Sequence, residues 1–171
     1  LLADLDPQAH ATLSLGVRDA RSGGILDVLR SRMRIAEAVR STYLPTLHLL
    51  AGTRGLAEYE RLETPHKEAR IRLRDAVRPV SEHYDYVVFD TPPTLGLLTI
   101  SALIASDELV IPMQAHYLAL DGLAEMVRMV AAINRVYGTG LTIRGVVPTF
   151  YQERARPSRA VRQEVRTHLG Q

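Results

Sequence analysis

The sequence contains no cysteine, which excludes a disulfide framework and thiolate chemistry. It also lacks any apolar run approaching the roughly 20 residues that a membrane span requires. Charge is nearly balanced. A formal net charge of +2 and a pI of about 9.2 allow a weakly basic surface but no polybasic tail, so any nucleic-acid contact must come from a local patch. The six histidines, at 10, 48, 66, 83, 116 and 168, show no ligand-type spacing, and the sequence therefore offers no transition-metal site. A phosphate-binding loop is missing too. Gly23-Gly24 follows no strand and precedes no Lys-Ser/Thr, so it reads as a turn. The opening Leu1-Leu2-Ala3 has no Met, charged n-region or cleavage site, and reads as the inside of a domain rather than a signal peptide.

What is present is a chain of 171 residues, 46% hydrophobic, enough for one well-buried domain. Its most informative stretch is Tyr84-Asp85-Tyr86-Val87-Val88-Phe89-Asp90-Thr91-Pro92-Pro93. The run from Tyr86 to Phe89 has no polar alternation, the pattern of a parallel strand covered on both faces. It ends in a carboxylate. In open α/β sheets the carboxyl ends of strands face the ligand, and an acid there is suited to holding a magnesium-bound water beside a nucleotide. The competing reading is a strand-terminating Asp that caps the next helix.

Leu1 to Leu5 reads as a second strand, ending in Asp4-Leu5-Asp6-Pro7-Gln8 with both carboxylates on one side by alternation. Asp6 as N-cap and Pro7 as first helical residue would open a helix over Gln8 to Leu15, closed by Gly16; capping accounts for Asp6 but not for Asp4. The spacing then predicts a ragged helix over Ile25 to Val39, a strand at Leu47 to Leu50, a long charged helix from Thr64-Pro65 towards Val80, and a buried helix over Leu97 to Ala105. Further on come a strand at Leu109 to Pro112, a helix over Leu118 to Val136 with its apolar stripe on Leu120, Leu123, Val127 and Val130, and a strand at Ile143 to Val147. A polar loop over Thr149 to Pro157 and a last helix over Ser158 to Leu169 complete the pass. Five apolar strands alternating with helices imply an α/β fold: a doubly wound, mostly parallel sheet with helices on both faces, three layers deep. That topology places Asp4, Asp6, Asp90, Gln114 and Thr149 at strand carboxyl ends.

The stretch Leu2-Ala3-Asp4-Leu5-Asp6-Pro7-Gln8 with Ala11-Thr12-Leu13-Ser14-Leu15-Gly16 resembles the Walker A-prime segment of the ParA/Soj partitioning ATPases. Tyr84 to Pro93 with Leu95-Gly96-Leu97-Leu98-Thr99 is similar to that family's Walker B block. Ile111-Pro112 to Gly122-Leu123, and Gly145 to Leu169, resemble two further family segments in the same order. The resemblance implies a P-loop fold and an ATPase that uses ATP and Mg, forms a homodimer on ATP binding, and binds DNA non-specifically. It further implies hydrolysis triggered by a ParB-type centromere-binding partner, and a cytoplasmic, nucleoid-associated location without membrane attachment. Carried over by position, Asp6 is the catalytic acid that orients the attacking water. Asp90, with Asp4 near the magnesium shell, holds magnesium through water, and Asp4, Asp90, Thr91 and Pro92 are the cofactor-binding residues.

The family's phosphate loop, Lys-Gly-Gly-x-Gly-Lys-Thr-Thr, has no counterpart in these residues, so 1–171 is expected to be a single incomplete P-loop ATPase domain lacking the Walker A strand-loop-helix and the C-terminal end. The alternatives are a non-catalytic ParA-like scaffold and a MinD-type membrane-associated ATPase. Arg154 corresponds to an arginine of the family's DNA-contacting loop. Arg156, and Arg159 and Arg162 on the following helix, extend it into a basic stripe by spacing.

Overall fold

The computed structural model describes residues 1–17, 23–114, 119–151 and 163. It divides into two compact units, Leu1–Ala105 and Ser106–Gln171, each described by itself.

The first unit is built on β1 (Leu2–Asp4), which is followed by α1 (His10–Ser14), α2 (Ile25–Leu29), α3 (Ile35–Ala38), β2 (Val39–Ser41) and β3 (His48–Leu50). Then come α4 (Gly55–Glu63), α5 (Ala69–Ser81), β4 (Val88–Asp90) and α6 (Leu97–Ala105). The strand order is β2-β3-β1-β4, with β1 parallel to both neighbours and β2 antiparallel to β3. Parallel pairing of strands separated by helices is the α/β arrangement read from the sequence. Leu1, Ala3 and Leu5 enter one hydrophobic cluster with Leu50, with Ile25 and Leu29 of α2, Leu56 of α4, Leu73 and Val77 of α5, and Leu98 and Ala102 of α6.

Several elements differ from the sequence reading, each for a local reason. The expected helix over Ile25 to Val39 is broken, because Ser31 sits at φ 56° and Arg32 N–H closes back onto the Asp27 carbonyl, a left-handed helix ending. Glu37 then restarts the chain as α3, its carboxylate accepting Arg34 N–H at 3.4 Å and the Arg34 guanidinium Nε–H at 2.8 Å. Thr64-Pro65 ends a helix rather than starting one. The Thr64 hydroxyl and N–H both donate to the Glu60 carbonyl, closing α4, and α5 begins only at Ala69. β4 is covered on one face, not two. Val87 and Phe89 pack against the cluster, whereas Tyr86 and Val88 are 80% and 53% exposed. Among the described residues β4 pairs only with β1.

The start of α1 is strained. Ala9, its N-cap, lies at φ 54°, ψ 37°, a region that costs a non-glycine residue about 1–2 kcal/mol. Ala9→Gly is therefore expected to stabilise the protein by about 0.5–1 kcal/mol after the added freedom of the unfolded glycine is offset. A chemical-denaturation midpoint that fails to rise would mean that the turn holds Ala9 without strain.

The second unit contains β5 (Glu108–Gln114), α7 (Ala119–Tyr137) and β6 (Thr142–Thr149). The two strands run parallel, with Gln114 opposite Thr149 at their carboxyl ends. α7 buries Leu123, Val130 and Ile133, while Val127 is 37% exposed, so the stripe turns towards Ile133 rather than following Val127. Asn134 closes the turn after α7, donating to the Leu141 carbonyl and accepting from Leu141 N–H, both at 2.8 Å. The predicted helix over Ser158 to Leu169 lies outside the described residues, apart from Gln163.

Candidate active site

Asp4 and Asp90 are register partners at the carboxyl ends of the adjacent parallel strands β1 and β4, and Leu5 N–H donates to the Asp90 carbonyl at 2.8 Å. Strand pairing alone thus brings two of the three candidate acids side by side. Asp6 follows on the loop leaving β1. Its carboxylate accepts Gln8 N–H at 2.9 Å and its carbonyl accepts Ala9 N–H at 2.9 Å, an Asx-turn. The helix therefore starts three residues later than an Asp6 N-cap would place it, and Asp6 remains half-buried above the strand ends.

Asp4 is wholly buried. One carboxylate oxygen accepts the Thr12 hydroxyl at 2.7 Å and Thr12 N–H at 2.8 Å; the other accepts Asp6 N–H at 3.1 Å. The Thr12 hydroxyl in turn accepts Gly52 N–H at 2.8 Å. Gly52 is glycine for a steric reason: a Cβ there would lie 2.7 Å from the Asp4 carbonyl oxygen and 2.8 Å from its carboxyl carbon. A buried carboxylate is tolerated only when hydrogen-bonded, and these bonds tie β1, α1 and the end of β3 into one assembly around Asp4. The sequence reading missed Thr12 and Gly52 as partners, since only the fold brings residues 4, 12 and 52 together.

Asp90 is exposed, yet its carboxyl holds its proton more tightly than an ordinary aspartate. Partial loss of hydration is the main cause, followed by the charges of Asp4 and Asp6; His10 acts in the opposite sense. The folded state thus binds this proton better than the unfolded chain does. Stability contributed here is fullest below the ordinary aspartate range, falls as pH rises from that range through the raised value, and stays lower above it. Such a carboxylate, crowded by like charges at an open strand end, suits a cation. Among the described residues no group of three His, Cys, Asp or Glu is placed to hold a metal ion.

Thr91 is half-buried and Pro92 buried in the turn after Asp90. The Thr99 hydroxyl donates to the Thr94 carbonyl at 2.6 Å and reaches the Pro92 carbonyl at 3.4 Å, fixing the turn onto α6. Gln114 and Thr149 are brought together in the second unit. Arg154, Arg156, Arg159 and Arg162 lie outside the described residues.

Residues 1–143 match the sequence profile of an AAA domain. The chromosome partitioning protein ParA of Myxococcus xanthus strain DK1622 is 37% identical over 172 residues, covering 99% of this chain and 60% of that protein. The sporulation initiation inhibitor protein Soj of Bacillus subtilis strain 168 is 36% identical over 170 residues, covering 99% of this chain and 67% of Soj. The chain belongs to the ParA/Soj family.

Solved structures agree on the ParA/Soj-type fold. A cobyrinic acid a,c-diamide synthase from Mycobacterium smegmatis, with bound ATP analogue and magnesium, superposes with a TM-score of 0.87 at 29% identity, over 98% of this chain and 68% of that one. An McdA–ATP complex from Cyanothece, at 22% identity, shares the fold with a TM-score of 0.88 over 97% of this chain and 66% of that one. The α/β class and the mostly parallel sheet are thus those of the P-loop ATPases. The chain spans about 60% of the M. xanthus ParA. Among the described residues no helix is long and apolar enough to cross a membrane.

Proposed function

We propose that the protein is a ParA-type partitioning ATPase in which this chain supplies the acids that hold magnesium and orient water for ATP hydrolysis. The observation that carries the reading is the convergence of Asp4, Asp6 and Asp90 at the carboxyl ends of neighbouring parallel strands. Asp90, exposed and crowded by negative charge, is the residue to hold a hydrated magnesium ion, with Thr91 and Pro92 shaping its turn. Magnesium bound there would neutralise charge on the phosphates. Asp6, fixed by its Asx-turn, is placed to accept a hydrogen bond from the attacking water and keep it aligned. Asp4 acts from within: its bonds to Thr12 and to Asp6 N–H set the loop on which Asp6 stands. Positioning and charge compensation are the principal means of phosphoryl-transfer catalysis, so few side chains are needed.

In this reading the full-length protein dimerises on ATP, binds DNA without sequence preference, and is stimulated by a ParB-type partner in the cytoplasm, on the nucleoid. The name of the M. xanthus relative supports a role in partitioning, and the segment-by-segment resemblance supports the rest. DNA contact is assigned to Arg154 and Arg156, extended by Arg159 and Arg162. Each phosphate neutralised contributes about −0.9 to the slope of log affinity against log salt. Replacing Arg154 and Arg156 by Ala in the full-length ATP-bound protein should lower that slope by about two units per subunit, equally on unrelated DNA sequences. The decisive experiment is magnesium-dependent ATP hydrolysis by the full-length protein with and without DNA. Absence of hydrolysis under every condition would favour the non-catalytic scaffold.

A further inference from the structure

Helix α6 begins seven residues after Asp90 and is almost entirely apolar, with Leu97, Leu98, Thr99, Ser101, Ala102, Leu103 and Ile104 all buried. Its first turn contains no acid, although the unpaired N–H groups of a helix start call for an acceptor. The acceptor comes from another helix. Glu60 of α4 takes Leu98 N–H on Oε1 at 3.1 Å. Its carboxylate fills the space a side chain at 96 would need: a Cβ on Gly96 would lie 2.2 Å from Glu60 Oε1 and 2.9 Å from its carboxyl carbon. The glycine in Leu95-Gly96-Leu97 thus makes room for Glu60.

The position of α4 gives this contact wider reach. α4 starts three residues after Gly52, whose N–H donates to Thr12 in the network around Asp4. Thr53 bridges the gap through its hydroxyl, which accepts Gly55 N–H at 3.1 Å. The Asp4–Asp6 loop and the Asp90 turn are therefore linked through one strut. It runs from Thr12 and Gly52 along α4 to Glu60, and from there to the start of α6 and the Thr99-clamped turn.

We infer that Glu60 is a positioning residue for the cation-binding turn, setting the affinity of the Asp90 end for magnesium without touching the ion. The inference rests on the reading of Asp90 as the magnesium-holding acid. Outer-shell partners that orient a metal-binding group typically contribute 10–100-fold to affinity or activity. In the full-length protein with a non-hydrolysable ATP analogue, Glu60→Ala should raise the Mn²⁺ concentration for half-saturation, read by electron paramagnetic resonance, by about tenfold. Turnover at saturating magnesium should stay within about twofold of wild type. Glu60→Gln keeps the acceptor oxygen and should restore most of the affinity. Gly96→Ala, which drives the carboxylate out of its seat, should reproduce the Glu60→Ala shift, and the double variant should be no worse than either alone, because both remove one contact. A lowered melting temperature with unchanged half-saturation in Glu60→Ala and Gly96→Ala would make Glu60 a helix cap only and overturn the inference. Failure of the wild type itself to bind Mn²⁺ with the nucleotide would overturn the reading of Asp90 and the inference with it. A wild type that binds beside variants that match it would overturn the inference alone.

Discussion

Thr12→Val should destabilise the protein by roughly 3–5 kcal/mol, the largest loss expected from any near-isosteric change in the first unit. The hydroxyl holds two partners: it donates to the buried Asp4 carboxylate at 2.7 Å, which would keep only its bonds from Thr12 N–H and Asp6 N–H, and it accepts Gly52 N–H at 2.8 Å. Losing a hydrogen bond to a charged group costs about 1.5–3 kcal/mol, and an orphaned buried N–H about 1–3 kcal/mol. The added methyl of valine returns little, since Thr12 is 1% exposed in a packed site. Thr12→Ser keeps the hydroxyl and should cost only about 1 kcal/mol. For a chain of this length the valine variant should melt about 10 °C lower, the serine variant about 3 °C lower. Equal melting temperatures would show that the Asp4 network draws nothing from this hydroxyl. The control is Asp4→Asn/Thr12→Val: with the buried charge gone, the valine should be tolerated better than in the presence of Asp4, a coupling readable in a double-mutant cycle.

The sequence was most legible where periodicity and strand chemistry agree. α6 matches its predicted span, and β3, β5, β6 and α7 lie within a few residues of theirs, because each is a strongly apolar run bounded by turn residues. The position of Asp4 and Asp90 at strand carboxyl ends was legible as well, from the parallel topology, whereas their register pairing on adjacent strands was not. What was not legible depends on backbone states that composition does not announce. Ser31 and Ala9 both adopt positive φ without being glycine, and each redraws a helix boundary. α4 was missed because a charged segment hides its apolar step from Leu56 to Tyr59, the only two residues it buries; recognising that step of three would have brought Glu60 into view. Thr12, Gly52 and Gly96 owe their identity to partners 8, 48 and 36 residues away in sequence. No local pattern encodes such distances.

In the full-length protein, Asp6→Ala should slow ATP turnover by at least about a hundredfold while leaving ATP binding close to wild type, because alignment of the attacking water matters mainly in the transition state. The structure supplies a sharper variant. Asp6 Oδ1 accepts Gln8 N–H at 2.9 Å, and Asp6→Asn retains that acceptor while removing the charge. If Asp6 serves hydrolysis, Asp6→Asn should be nearly as slow as Asp6→Ala although its melting temperature is preserved. If it only closes the Asx-turn, Asp6→Asn should turn over like wild type and Asp6→Ala should lose about 1 kcal/mol of stability. Asp90→Ala should separate from both by acting on the cation. The magnesium concentration for half-saturation should rise more than about tenfold. Removing Asp90 should not weaken the fold, because its carboxyl proton is held above the ordinary range by lost hydration and by repulsion from Asp4 and Asp6. Once ionised, the group opposes folding, because the unfolded chain gives up the same proton more readily. Asp90→Asn should therefore melt higher than wild type at pH 7 without magnesium, with the gain fading as pH falls through the aspartate range. A protein stabilised by losing Asp90 but catalytically impaired by the same change would have placed this acid for its ligand rather than for its fold. A lower melting temperature at pH 7 would make Asp90 a structural end to β4.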